Sequence, residues 1–244
     1  MAAEALKVRT PLVELDRELA RMANAQFESD AFRRLLATKL NHERARTYII
    51  QRTHWQVNRR DCWAQVQANA PLDVKTVIWD HEREELGGDP ATGKPDHYTM
   101  SVLEGGALGL ELADFTRIPP SDGCVTCSYA WFHLARTSHW LSGLAASAAL
   151  ELSNSDEIVK GGSMSRQMSV KFRDEAGIPM KKQISNVEHM AADVEHAHLL
   201  MEVAAKHAHT DHDRELILEG ARRSWQIDRI WKGHLADLLN AIPL

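Results

Sequence analysis

The sequence predicts an all-α protein, and three observations carry that reading. Apolar residues recur at helical spacing along most of the chain, no stretch alternates with period two for long enough to argue a sheet, and the Gly/Pro clusters fall where one helix would end and the next begin. The 244 residues, 44% hydrophobic and 26% charged, suit an ordinary globular chain.

Taken in order, the candidate helices run over 12–26, 29–40, 43–68, 71–86, 97–112, 124–160, 185–209 and 211–240. Ser29-Asp30 supplies a cap for the second. Pro71 suits a first helical position, where its missing N–H loses nothing, and Gly87-Gly88-Asp89-Pro90 stops the helix it opens. Ile118-Pro119-Pro120-Ser121-Asp122-Gly123 is a second break and Ala176-Gly177-Ile178-Pro179 a third. There is no internal repeat, low-complexity tract or long polar linker, so these breaks read as corners of one bundle and residues 1–244 as a single domain.

Charge and cysteine usage narrow the function classes. Lys plus Arg number 29 against 34 Asp plus Glu, a net charge of -5, so no overall positive field gathers phosphate backbones or anionic lipid. Nucleic acid and membrane are therefore not expected partners. No apolar run approaches the roughly 18 residues of a spanning helix, and the opening MAAEALKVRT lacks a basic flank followed by an apolar stretch, which predicts a cytoplasmic address. Cys62, Cys124 and Cys127 are too few for a disulfide framework, and Cys124-Val-Thr-Cys127 has no second pair to complete a zinc site. The unusual count is 13 histidines, a reason to look for metal sites.

The strongest local signal is His189-Met-Ala-Ala-Asp193-Val-Glu-His196. At about 100° per residue its i, i+4 and i+7 positions present two imidazoles and a carboxylate to one side of a helix. A solvated polar face is the alternative, because Glu188, Glu195 and His198 make the segment polar almost all round. His207, His209 and His212 also precede carboxylates but lack a third ligand in register and read as surface histidines at a helix junction. His81-Glu82-Arg83-Glu84-Glu85 opens like a zinc-peptidase HExxH motif and fails at its last position.

Two glutamates sit on otherwise apolar stripes, where an unpaired charge is expensive and a metal ion is one way to compensate it. Val74, Ile78, His81 and Glu85 share one narrow stripe while Glu82 and Glu84 point away from its centre. Leu141, Leu144, Ala148 and Glu151 follow the 3, 4, 3 spacing of a core stripe, beside small residues 145–149 that leave room for close packing or a ligand. For either glutamate the alternative is a helix-end carboxylate reaching water or an arginine. His97 follows the Gly/Pro corner at the expected start of the next helix, as a ligand or a capping histidine. The set Glu85, His97, Glu151, His189, Asp193 and His196 mixes oxygen and nitrogen donors, which suits redox-active iron or manganese and, without thiolates, argues against structural zinc. Glu195 and His198 form the one Glu-x-x-His of the chain, and the ferritin-type pattern needs a pair of them.

These residues resemble the haem-oxygenase-like di-iron oxidases and oxygenases, relatives of thiaminase II and the pyrroloquinoline-quinone synthases. Their pattern is a Glu near the end of one core helix, a His, a second Glu in a later core helix and a final His-x-x-x-Asp-x-x-His. The last element is complete at His189, Asp193 and His196, Glu84-Glu85-Leu86-Gly87-Gly88 is similar to the first, His97 follows after a longer insert, and Glu151 fits the second helix. The similarity spans roughly residues 70–200. It implies a haem-oxygenase-like bundle of about seven helices with the metal site between core helices. It further implies O₂ as co-substrate, activated at a pair of ferrous ions, with Fe/Fe or Fe/Mn open, and Glu85, Glu151, His189, Asp193 and His196 as catalytic ligands.

The implied reaction is oxidation of a small biosynthetic metabolite, first an amine or amino acid, by N-oxygenation or oxidative C–C cleavage. Leu150 stands before Glu151 where a self-sacrificing member of the family has a Tyr, so chemistry on the enzyme's own residue there is not implied. Arg136 and His139 are candidate contacts for a substrate carboxylate, since Arg offers a bidentate fork. A homodimer and an external electron donor complete the expected partners. The rival readings are a metal-independent enzyme like thiaminase II or the quinone-cofactor synthase, and a non-catalytic helical binding module.

Overall fold

A computed structural model describes residues 2–244, with the side chains of residues 11–190, 192 and 196–244. In chain order the helices are α1 (Ala2–Phe27), α2 (Asp30–Ala37), α3 (His42–Asn69), α4 (Leu72–Gly87), α5 (His97–Gly106), α6 (Asp114–Arg117), α7 (Asp122–Thr137), α8 (Trp140–Asn154), α9 (Met164–Glu175), α10 (Ile184–His207) and α11 (Asp211–Asn240), with a 3₁₀ turn at Met180–Lys182. No strand occurs among the described residues; the one extended pairing is an isolated bridge between Asp89 and Lys94. Those with fifteen residues or more are α1, α3, α4, α7, α8, α10 and α11, a bundle of the expected size.

Helix starts follow side-chain capping chemistry. Ser29 accepts from Phe32 N, Asn41 from Arg44 N, Asp96 from Thr99 N, Ser121 from Cys124 N and Ser163 from Arg166 N, while Thr210 and Asp213 form a reciprocal capping box on α11.

Three expectations need correction. The helix expected over 124–160 is two, because Ser138 and His139 adopt extended backbone and the His139 ring caps α8 by accepting from Leu141 N at 3.3 Å. The helix expected over 97–112 ends at Gly106, inside a Gly-Gly pair. The Met164–Glu175 helix was not anticipated; Gly161 and Gly162, both at positive φ, and the Ser163 cap set its start.

The core is built around α8, in which every residue from Leu141 to Ser153 is buried. It packs on α11, α10, α7 and α3. Its small side chains let backbones approach: a Cβ on Gly220 of α11 would lie 2.1 Å from Ser142 O, so only glycine fits there. Two buried indoles fasten the same layer, Trp131 Nε1 donating to Ser224 Oγ at 3.0 Å and Trp225 Nε1 to Ser153 Oγ at 2.8 Å. No helix among the described residues is long and apolar enough to cross a membrane.

Candidate metal centre

The centre starts from α4. Its buried face is Val74, Ile78, His81 and Glu85, the stripe read from the sequence, and the Glu84 side chain beside it is 52% exposed. After Gly87 the chain reverses through Gly88 at φ +62, where a Cβ would lie 2.3 Å from Lys94 O. The reversal closes with Asp89 N to Lys94 O at 2.9 Å and Lys94 N to Asp89 O at 3.0 Å. Asp96 then caps α5, which places its first residue, His97, against the helix just left: His97 Nδ1 lies 2.8 Å from Glu85 Oε2. The Gly-rich insert thus returns the chain to Glu85.

From α10 come His189 and His196. The His97 and His189 ring centroids are 4.6 Å apart, and His196 Nδ1 lies 3.7 Å from Glu85 Oε1. Glu151 is buried on α8 and its charge acts on both His81 and Arg60. Asp193 belongs to α10, but its side chain lies outside the described residues. Glu85, His97, His189 and His196 therefore meet in one place, with Glu151 close enough to be felt electrostatically.

Three neighbours were missed by the sequence reading. The His81 and His196 ring centroids lie 4.5 Å apart with their planes inclined by 59°, and His81, Glu85 and His196 each offer a ligand atom within 4.8 Å of the others. Its signal in the sequence is its place on the Glu85 stripe. Glu82, expected to point away, has a side chain only 12% exposed, with Oε1 3.0 Å from His81 Nδ1 and 2.9 Å from Arg60 Nη1. Arg60, one helix away on α3, also lies 2.8 Å from Glu85 Oε2. Only the register of α3 against α4 reveals it.

The donors are prepared for a cation. Ser185 O can only accept, so His189 Nδ1 carries its proton to that carbonyl at 2.7 Å and leaves Nε2 with a lone pair. Burial drives the His189 pKa down to about 3, with the His97 ring adding to the fall, so the imidazole is neutral. Burial likewise lowers His81 to about 4, and its Nε2 is buried with no hydrogen-bond partner among the described residues. Glu85 is held well below the usual carboxylate range: burial opposes ionisation, but Arg60 and His97 outweigh it. Burial raises Glu82 to about 7 against the pull of Arg60. Arg60 itself stays charged, because Glu85, Glu82 and Glu151 overcome the burial that disfavours it.

Buried imidazoles beside carboxylates, with one guanidinium as fixed positive charge, fit a metal ion. His81, Glu85 and His196, whose ligand atoms lie within 4.8 Å of one another, could hold it, with His97 and His189 beside them.

Other sequence candidates lie elsewhere. Arg136 and His139 are exposed, Arg136 near the end of α7 and His139 at the α8 cap, so the cavity beside His189 is lined without them. His207 pairs with Asp73 at 2.8 Å. All three cysteines are free and buried.

Comparison with known proteins bears on the whole arrangement. Residues 46–229 match the family model described as iron-containing redox enzyme. No curated protein matches the chain. Among solved structures, a domain of unknown function with a heme oxygenase-like fold from Shewanella denitrificans aligns with TM-score 0.73 at 15% identity, over 94% of this chain and 92% of that one. A CADD-like protein of unknown function from Nostoc punctiforme gives TM-score 0.71 at 17% identity, over 94% and 98%. A TenA homologue from P. horikoshii gives TM-score 0.57 at 16% identity, over 93% and 99%. The fold is accordingly heme oxygenase-like, and with its family model matched over well more than half its length the chain belongs to the iron-containing redox enzymes.

Proposed function

We propose that the protein is a non-haem di-iron oxygenase or oxidase that uses O₂ to oxidise a small metabolite, with an amine or amino acid as substrate. The observation that carries this reading is the meeting of Glu85 with three imidazoles from two other helices, His97 of α5 and His189 and His196 of α10, inside the protein. Bound there, an iron pair would supply the electrons that O₂ activation requires.

The chain's own residues do the rest. His81, His97, His189 and His196 offer ring nitrogens, and the Ser185 carbonyl fixes the His189 tautomer. Glu85 and Glu151, with Asp193 proposed beside them, offset the positive charge. Trp63, fully buried with its ring 4.7 Å from that of His81, keeps water from that side. The whole chain is read as one helical domain around this centre, with Fe/Fe or Fe/Mn as its metals and an external electron donor as partner.

Anaerobic titration with ferrous iron, followed by calorimetry and iron analysis, is expected to saturate at about two equivalents per chain. Glu85→Ala and His189→Ala should each lower that number while circular dichroism stays helical. Folded protein that takes up no iron would overturn the reading.

One observation favours a second reading, a metal-independent enzyme: Arg60 already sits against the Glu82 and Glu85 carboxylates and offsets part of their charge without any metal. Turnover that survives a chelator would select it.

A further inference from the structure

Three sides of the centre differ in what they offer an approaching cation. On the α3 side the fully buried Trp63 covers the His81 ring, and Arg60 holds a positive charge 2.8 Å from Glu85. On the His189 side the space is only about 40 Å³, room for a few water molecules at most. It is bordered by Arg52 and Lys232, which Glu104 and Asp228 already pair, so that side offers neither width nor net negative charge.

Between α4 and α10 the wall is acidic and open. A surface groove with about 280 Å³ of space runs there, lined by Asp80, Glu84 and Glu202 together with His81 and His196. Asp80 and Glu84 stand one turn apart on α4, and all three carboxylates are exposed. The cations near them are screened or engaged. Arg83 lies 4.0 Å from Asp80 with both side chains mostly in solvent, and Lys94 pairs with Glu188 at 2.5 Å.

The floor of the groove belongs to the centre. His81 is 5% exposed, and its Nε2 has no hydrogen-bond partner among the described residues. The His196 ring lies between two carboxylates, with Nε2 3.8 Å from Glu84 Oε2 and Nδ1 3.7 Å from Glu85 Oε1. The first of these glutamates has a half-exposed side chain and the second a buried one. An oxygen and a nitrogen 3.8 Å apart can touch one ion together at about 2 Å each, the usual length for a first-row divalent metal. Glu84 therefore spans solvent and the buried ligands.

We infer that divalent metal enters the centre through this groove: Asp80 and Glu202 draw the hydrated cation in, and Glu84 takes it first and passes it to His196 and Glu85. A cleft lined by one sign of charge raises the local concentration of the opposite ion, and its rate of association, by about 10-fold or more. The inference rests on the proposed function in taking the centre as a metal site. It concerns the rate of filling, whereas that reading is measured by the number of ions bound.

The test mixes the full chain, metal-free and anaerobic, with ferrous iron in a stopped-flow cell. Quenching of tryptophan fluorescence follows arrival, Trp63 lying 4.7 Å from the His81 ring, and iron analysis of the end point counts the ions. A groove variant carrying Asp80→Asn, Glu84→Gln and Glu202→Gln is compared with a control carrying Asp16→Asn, Asp61→Asn and Glu111→Gln, three exposed acids elsewhere, so that net charge changes equally. At an ionic strength of about 0.01 M the groove variant is expected to fill at least ~10-fold more slowly than the unmodified chain, and the control as fast as that chain, with the final iron content the same in all three. At about 1 M salt, where the screening length falls to roughly 3 Å, the deficit should shrink. Glu84→Gln alone should stay slow there, because direct ligation is not screened as long-range attraction is. A groove variant that fills as fast as the unmodified chain, a control slowed as much as the groove variant, or Glu84→Gln matching the unmodified chain at high salt would overturn the inference and leave the metal reading standing. An unmodified chain that takes up no iron would overturn both.

Discussion

At the scale of single residues, burial decides chemistry. His189 and His196 were legible because their seven-residue spacing puts both on one side of a helix. His81 sits on the same stripe as Glu85, and its part in the centre shows only when α10 brings the His196 ring to 4.5 Å from it. His81→Ala is expected to weaken ferrous binding by roughly 10-fold or more, in the range found when groups supporting a metal site are removed. The exposed-side pair His207→Ala should leave the isotherm unchanged, and calorimetry on both variants checks the contrast. The cysteines make a second prediction. Burial pushes the Cys124 and Cys127 thiols up to about 11 and raises Cys62 as well, so all three are poor nucleophiles at neutral pH. Alkylation followed by mass spectrometry should label them only after denaturant is added.

At the scale of elements, the helices that the apolar period announced are present, and the errors fall where a cap overrides the period. The chain over 124–160 stays helical in pattern through Ser138-His139, yet the His139 ring satisfies an N–H of α8 and permits a corner there. The small residues of α8 were legible as a close-approach surface; the partner was not, because Gly220 lies far away in sequence. Gly220→Ala would drive a methyl into Ser142 O and is expected to destabilise the protein by about 1–3 kcal/mol or more. Ser153→Ala should lose about 1–3 kcal/mol by stranding the buried Trp225 N–H. Denaturant titration measures both.

At the scale of the whole molecule, the apolar core and the centre are separate sources of stability. Buried clusters around α8 and α11 hold the bundle without help from a metal, so a chelator is expected to leave helical content intact. Each ferrous ion at 100-fold over its dissociation constant should add about 2.7 kcal/mol, a rise of roughly 2–4 °C per kcal/mol for a chain of this size. Differential scanning calorimetry with and without ferrous iron tests this. The all-α class and the helices of α4, α8 and α10 that carry the centre could be read from one sequence, since their patterns are local. The contribution of α3 could not, because Arg60 gains meaning only when that helix is laid against α4.

Arg60 has a thermodynamic consequence for filling the nest. A guanidinium does not shed its proton at any pH the protein tolerates, so incoming divalent ions must compete with a resident charge that cannot be titrated away. Arg60→Met, which lifts that repulsion, is expected to tighten ferrous binding to the folded protein, a shift that calorimetry reads.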